Sequence, residues 1–122
     1  MKKILVIDDE EDFLEWVATG LSNENFEVIT AENGRAGLKL LETHQPDLVI
    51  VDLYLPDIEG FDVCQQLKSN VNTKHIPVIL VTGVFKNITA IDKGYQCGAD
   101  DFLIKPFSYE QLKVRVLRQF KK

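Results

Sequence analysis

Cysteine is scarce in this sequence. Only Cys64 and Cys97 occur in 122 residues, too few and too far apart along the chain for a disulfide framework or a cysteine-ligated zinc site. Cys64 falls in a helical pattern and reads as a small core residue. Long apolar runs are missing too. None approaches the roughly 18 residues of a membrane span, so no membrane role is expected. Met1-Lys2-Lys3 and the apolar residues 4–7 look like the start of a secretory signal, but Asp8 ends the run far too early. A cytoplasmic protein is the expectation. Basic residues are the minority: 14 Lys and Arg against 19 Asp and Glu give a formal charge of −5. A nucleic-acid-binding surface needs the opposite balance. Repeats and low-complexity stretches are absent. With 45% apolar and 27% charged residues, the composition is that of a globular protein, and the length suits one domain with a real core.

What is present is a series of short apolar runs, each ending in a polar residue. The clearest is Leu48-Val49-Ile50-Val51, followed by Asp52 and then Pro56. Apolar residues without alternation predict a strand buried on both faces, as in a parallel sheet covered by helices. Pro56 gives no ladder donor and holds Leu55 extended, so the strand has ended before it. Asp52 is thereby placed at the carboxyl end of a buried strand, the edge where open α/β sheets bind ligands. Taken alone, it could equally open a turn. Ile4-Leu5-Val6-Ile7 is a second such run and ends in the acidic loop Asp8-Asp9-Glu10-Glu11-Asp12. A helix follows on Leu14, Val17, Ala18 and Leu21, with Asp12 as its expected N-cap. Residues 26–30 predict a third strand. A second helix carries Ala36, Leu38, Leu40 and Leu41, and Gly34 and Gly37 weaken it by on the order of 1 kcal/mol each.

Past Pro56, a third helix presents Gly60, Cys64 and Leu67 on one face. A polar loop spans 69–75. Residues 76–81 predict a fourth strand that ends at Thr82-Gly83, with Pro77 tolerable only at its start. Ile88, Ile91 and Tyr95 have the spacing of a fourth helix, with Gly94 among them. Phe102-Leu103-Ile104 is a fifth strand ending in Lys105-Pro106. Ser108 caps a last helix on Leu112, Val116 and Phe120.

Five strands alternating with five helices predict an α/β fold, a five-stranded parallel sheet between two helix layers with right-handed crossovers. The strand order 2-1-3-4-5 is expected for a small doubly wound fold. All strand carboxyl ends then share one edge, which collects Asp8, Asp9, Asp52, Thr82 and Lys105. Two carboxylates about 4 Å apart repel by roughly 4 kcal/mol at an effective dielectric near 20. Three cannot crowd together ionised unless one takes a proton or a cation enters. No His or Cys is available there, so a hard cation with oxygen ligands suits the site. Mg²⁺ takes one or two carboxylates, keeps waters and accepts a phosphate oxygen. The acidic first loop would repel the phosphates of a flavin or dinucleotide. A carboxylate beside a divalent ion, a hydroxyl and a lysine suits phosphoryl transfer to Asp, which depends on positioning and charge neutralisation.

The sequence resembles the receiver domain of bacterial two-component response regulators, a flavodoxin-like (CheY-like) three-layer sandwich. The resemblance covers essentially the whole chain, 1–122. It rests on ILVIDDE at 4–10, LVIVDLYLPD at 48–57 with Gly60, HIPVILVTG at 75–83 and GADDFLIKPF at 98–107. It implies that Asp52 accepts a phosphoryl group from the phosphohistidine of a sensor histidine kinase or histidine phosphotransfer protein. Asp9 and Asp52 would bind Mg²⁺, with Mn²⁺ as the alternative. The main-chain carbonyl of Tyr54 would be the third protein ligand, and Asp8 would act through a metal-bound water. Thr82 and Lys105 would bind the phosphoryl oxygens. Thr82 and the strand-five aromatic, here Phe102, would move together and change a face made by helix four, strand five and helix five. A cis Lys105–Pro106 bond is also implied.

Such a domain would be a signalling module that catalyses only its own phosphorylation and dephosphorylation. It would stand alone or form part of a longer regulator, without direct nucleic-acid or membrane contact, as a monomer or a weak phosphorylation-dependent dimer. The sequence names no downstream effector. Departures from the family pattern are Leu55, where Met is common, Gly37, where Ala is frequent, and Gly94-Tyr95 in the fourth helix. Two rival readings are an aspartyl phosphatase, with Asp57 as the nearest second acid, and a phosphorylation-independent interaction module. His44 and His75 read as surface residues, and Phe13 with Trp16 as a partly buried pair able to dock a kinase.

Overall fold

The structure, a computed structural model, describes residues 1–83 and 97–121. Five strands, β1 (Lys3–Ile7), β2 (Glu27–Ala31), β3 (Leu48–Asp52), β4 (Val78–Thr82) and β5 (Asp101–Ile104), form one parallel sheet. Their order is β2-β1-β3-β4-β5, as the sequence pattern predicts. Among the described residues there are four helices: α1 (Glu11–Ser22), α2 (Gly34–His44), α3 (Gly60–Ser69) and α4 (Tyr109–Phe120). The helix expected on Ile88, Ile91 and Tyr95 lies outside the described residues.

The continuous apolar runs are explained by burial on both faces. Successive side chains of a strand point to opposite sides, so each run divides between two cores. Leu5, Ile7, Val49, Val51, Leu80 and Phe102 pack with Leu41 of α2 and Phe61, Cys64 and Leu67 of α3. Ile4, Val6, Leu48, Ile50, Ile79, Val81 and Leu103 pack with Leu14, Val17 and Leu21 of α1 and Leu112 and Val116 of α4. The register keeps β3 level with both neighbours: Val51 lies opposite Ile7 of β1 and Leu80 of β4.

Helix ends follow local chemistry, with one correction. Ser108 caps α4 as expected, in a reciprocal capping box with Gln111, and Asn33 caps α2 by accepting from the Ala36 amide at 2.8 Å. Asp12 is not the N-cap of α1. The chain becomes helical at Glu11, so Glu10 takes the cap position without a side-chain bond. Asp8 sets this earlier start by accepting from the Glu10 amide at 2.9 Å. Glu11 and Asp12 then sit in the first turn, where negative charge complements the helix dipole. Pro77 stays outside β4 while its carbonyl accepts from Val49 at 3.0 Å.

Several glycines are sites of close approach. Gly34 and Gly37, expected only to weaken α2, let it settle against Ile58 and Ile7. Gly60 opens α3 against the β3 main chain. A Cβ there would meet the Asp52 carbonyl oxygen and, at 2.8 Å, the Leu53 Cα. Neither can rotate away, whereas the nearest contact of a Cβ at Gly37 would be the Ile7 side chain. Gly60→Ala is expected to destabilise by about 2–3 kcal/mol through overpacking. Gly37→Ala should cost less than half as much, since Ile7 can shift and helix propensity returns about 1 kcal/mol. Urea unfolding of the two variants checks this ranking.

Candidate functional site

The ends of four strands deliver the predicted set to one edge. Asp8 follows β1 and is 1% exposed, and its amide donates to Ala31 at the end of β2 at 3.1 Å. Asp9 beside it is exposed. Asp52 closes β3, buried, opposite Val81 of β4, and its carboxylate accepts from the Tyr54 amide. Thr82 closes β4, fully buried, opposite Ile104 of β5. Lys105 follows β5, donates its amide to the Thr82 carbonyl at 2.8 Å, and is joined to Pro106 by a cis bond. Phe102 is buried in β5 opposite Leu80. Tyr54 lies in the loop after Asp52 with its side chain half exposed.

The side chains converge. Asp8, Asp9 and Asp52 each offer an oxygen, all within 4.8 Å of one another. The Lys105 ammonium lies 3.0 Å from Asp8 Oδ2, 3.0 Å from Glu10 Oε1 and 3.8 Å from Asp52 Oδ1. It also sits 4.0 Å from the centre of the Phe13 ring, a cation–π placement. Neither the role of Glu10 nor this contact of Phe13 is among the sequence expectations. The available signal was their position at the start of α1, three residues apart and so on one side of the helix.

One ammonium faces three carboxylates, those of Asp8, Glu10 and Asp52, and the titration behaviour follows. Burial, then the charge of Asp8, pushes Asp52 up to about 7, against the opposing pull of Lys105 and the Tyr54 amide. Burial also raises Asp8, outweighing the Glu10 amide and Lys105. For Lys105, burial works to lower the pKa, but hydrogen bonds to Asp8 and Glu10 prevail and raise it. The ion pair with Asp8 thus does not repay that carboxyl for leaving water. The donor set is all oxygen, short of positive charge, and drawn from the carboxyl ends of two separate strands. It fits a hard divalent cation such as Mg²⁺.

Other candidates fall elsewhere. The Asp57 carboxylate accepts from the amides of Gly34 and Arg35, at 2.8 and 2.9 Å, and of Ile58. It thus closes the start of α2. Burial would raise its pKa, but these amide donors prevail and lower it. His44 ends α2, exposed, with Nδ1 at 2.9 Å from the Thr43 hydroxyl, and His75 is exposed in a loop. Phe13, Trp16 and Phe107 have mutual ring-centre distances of 6.0 Å, and Tyr109 lies 6.3 Å from Trp16. Trp16 remains 41% exposed.

A family profile for the response regulator receiver domain matches residues 4–117. The chain belongs to the response regulator receiver domain family. It is 37% identical over 115 residues to the alkaline phosphatase synthesis transcriptional regulatory protein PhoP of Bacillus subtilis, covering 94% of this chain and 47% of PhoP. It is 39% identical over 116 residues to the DNA-binding dual master transcriptional regulator RpaA of Synechocystis, covering 95% and 48%. The chain thus spans about half the length of these curated relatives. Among solved structures, a response regulator receiver domain protein from Clostridium thermocellum superposes with a TM-score of 0.90 at 29% identity, covering 99% of this chain and 95% of that one. The chemotaxis response regulator CheY4 of Vibrio cholerae superposes with a TM-score of 0.91 at 27% identity, covering 98% of both chains.

A receiver domain is a signalling domain of two-component systems rather than an enzyme acting on free substrates. No described helix of this one is long and apolar enough to cross a membrane. In the metal-free receiver domain, folding favours the protonated form of Asp52. Its contribution to stability is fully present below about pH 4 and is lost as the pH rises through about 7. Asp52→Asn keeps the shape and removes the charge. It is expected to raise stability by on the order of 2–3 kcal/mol near pH 8 and to change it little near pH 4. Denaturant unfolding in the presence of a chelator, at both pH values, checks the sign and the window.

Proposed function

We propose that this receiver domain takes a phosphoryl group onto Asp52 from the phosphohistidine of a sensor histidine kinase or histidine phosphotransfer protein. The observation that carries the reading is the buried Asp52 carboxylate beside Asp8 and Asp9, with the Lys105 ammonium 3.8 Å from its Oδ1. An ionised Asp52 oxygen attacks phosphorus in line with the P–N bond. An acyl phosphate P–O bond forms, the P–N bond breaks, and the imidazole nitrogen keeps the electron pair. Asp9 and Asp52 would hold Mg²⁺, or Mn²⁺ in its place, with the Tyr54 carbonyl as third ligand and Asp8 acting through a bound water. When bound, the ion offsets the negative charge of carboxylates and phosphoryl oxygens.

The chain's own groups do the rest. Lys105 is held at the mouth of the site by Asp8 and Glu10, and a short swing brings its ammonium to a phosphoryl oxygen on Asp52. The Thr82 hydroxyl, at the end of the neighbouring strand, donates to another. The new group adds roughly −1.5 to −2 charge, which draws Thr82 toward it and leaves room for Phe102 to repack. That biases the face made by β5, α4 and the helix expected at Ile88, Ile91 and Tyr95, a local charge event acting on a two-state element.

A cleft of about 240 Å³ beside the site, lined by Glu10, Phe13, Trp16, Lys105, Pro106 and Phe107, supports docking of the phosphoryl donor there. PhoP and RpaA are named as transcriptional regulators, which favours an effector downstream of a domain spanning 1–122. The charge of −5 argues that this chain does not itself hold the nucleic acid. We place it in the cytoplasm, as a monomer or a weak phosphorylation-dependent dimer.

Radiolabelled acetyl phosphate with Mg²⁺ should label the wild type, and Asp52→Asn should take up no label; stoichiometric labelling of the variant overturns the acceptor assignment. Lys105→Ala should still bind Mg²⁺ but lose the conformational response to beryllofluoride, read as NMR shift changes across β5.

A further inference from the structure

The two cysteines lie 33 residues apart in sequence, yet the fold brings them side by side. Cys64, on α3, is 0% exposed within the core under α2 and α3. Cys97 packs against the same core but stays partly open to solvent. The Cys64 thiol lies 3.6 Å from the Cys97 carbonyl oxygen and is also hydrogen-bonded to the Cys97 sulfur, so the two sulfurs are within reach. Both are thiols in this structure.

The surroundings favour negative charge on Cys97 in particular. The hydrogen bond from Cys64, working against burial and aided by the Ala99 amide and the charge of Lys68, holds the Cys97 thiol below the usual range, while Cys64 is pushed up. Lys68 lies one turn beyond Cys64 on α3. Its stem covers Gly98, and its ammonium is fixed by the Ile76 carbonyl at 2.8 Å and Asp100 Oδ2 at 2.9 Å. A partly exposed thiol near a fixed cation, with a second thiol behind it, has the surroundings of a reactive cysteine and its resolving partner. Two inert core cysteines would need neither the cation nor the solvent opening.

We propose that Cys97 is a peroxide-reactive thiol and Cys64 its resolving partner, so that oxidation joins α3 to the loop entering β5 by an intramolecular disulfide. The Cys97 thiolate attacks one peroxide oxygen. An S–O bond forms, the O–O bond breaks, and the released hydroxide takes a proton to become water. The Cys64 sulfur then attacks the Cys97 sulfenic sulfur. The S–S bond forms, the S–O bond breaks, and the leaving hydroxide takes the Cys64 proton as a second water. Two thiols lose two electrons in all, and one hydrogen peroxide is reduced to two waters.

The test uses the whole chain and does not depend on phosphorylation. Wild-type protein is treated with a slight excess of hydrogen peroxide, denatured, alkylated with N-ethylmaleimide and weighed by mass spectrometry. The expected result is a monomer lighter by two hydrogens, with no maleimide adduct, and a tryptic cross-link between the peptides of Cys64 and Cys97. Dimedone should trap a sulfenic acid on Cys97 in Cys64→Ala, and leave Cys64 unmodified in Cys97→Ser. The proposal is overturned if both thiols of the treated wild type remain open to alkylation. It is equally overturned if the product is a disulfide between two chains, or a sulfinic acid without the cross-link, or if dimedone marks Cys64 in Cys97→Ser.

Discussion

The constraint on which the structure turns is mutual repulsion at the carboxyl edge of the sheet. Asp8 and Asp52 are buried there with Asp9 beside them. Nothing in the local chemistry of these residues favours such crowding; the covalent run of each strand into its loop enforces it. Lys105 is the counterweight, and it is shared. Its ammonium is nearer to Asp8 and Glu10 than to Asp52. The Asp52 carboxylate is therefore the least compensated of the buried set, so a proton or a divalent ion is most strongly felt there.

That imbalance persists only because the scaffold is stiff. Both faces of the sheet are covered, and each strand contributes to two cores. The loops at the site are tied down as well. Asp57 binds the amides at the start of α2, and Gly60 brings α3 hard against the carbonyl of Asp52. The Lys105 amide is bonded to the Thr82 carbonyl, so the hydroxyl and the ammonium of the site are linked through the main chain. Preorganisation of this kind keeps the charged groups close together, so that only small side-chain movements are needed to bring them onto a bound group.

Helix α3 carries a second theme. Gly60, Cys64 and Lys68 recur at helical spacing along one side. The first touches the β3 main chain at Asp52, the second reaches Cys97, and the third spans to Asp100 and the Ile76 carbonyl. One stripe of one helix thus connects β3 to the segment that enters β5, the strand that carries Phe102 and leads into Lys105. A chemical change at the cysteines acts on a segment mechanically continuous with the site.

The strand order follows from the small doubly wound fold class; the sequence by itself determined the strands and the edge residues Asp8, Asp9, Asp52, Thr82 and Lys105. These are written in local pattern: unbroken apolar runs, the polar residue after each, and the alternation of strands with helical periodicity. The Ser108 cap was legible for the same reason, since a cap acts within one turn. Only the tertiary structure decided that Asp8 is buried while Asp9 is exposed, and that Glu10 and Phe13 share Lys105. It also showed that Asp57 serves the start of α2, that Gly34 and Gly37 are packing contacts, and that Cys64 meets Cys97. Each of these depends on side-chain direction or on contacts between elements remote in the chain, such as the 97-residue separation of Lys105 from Asp8. The early start of α1, which displaced Asp12 from the cap, has the same origin: it is set by how Asp8 is held at the end of β1, and no helical pattern records that.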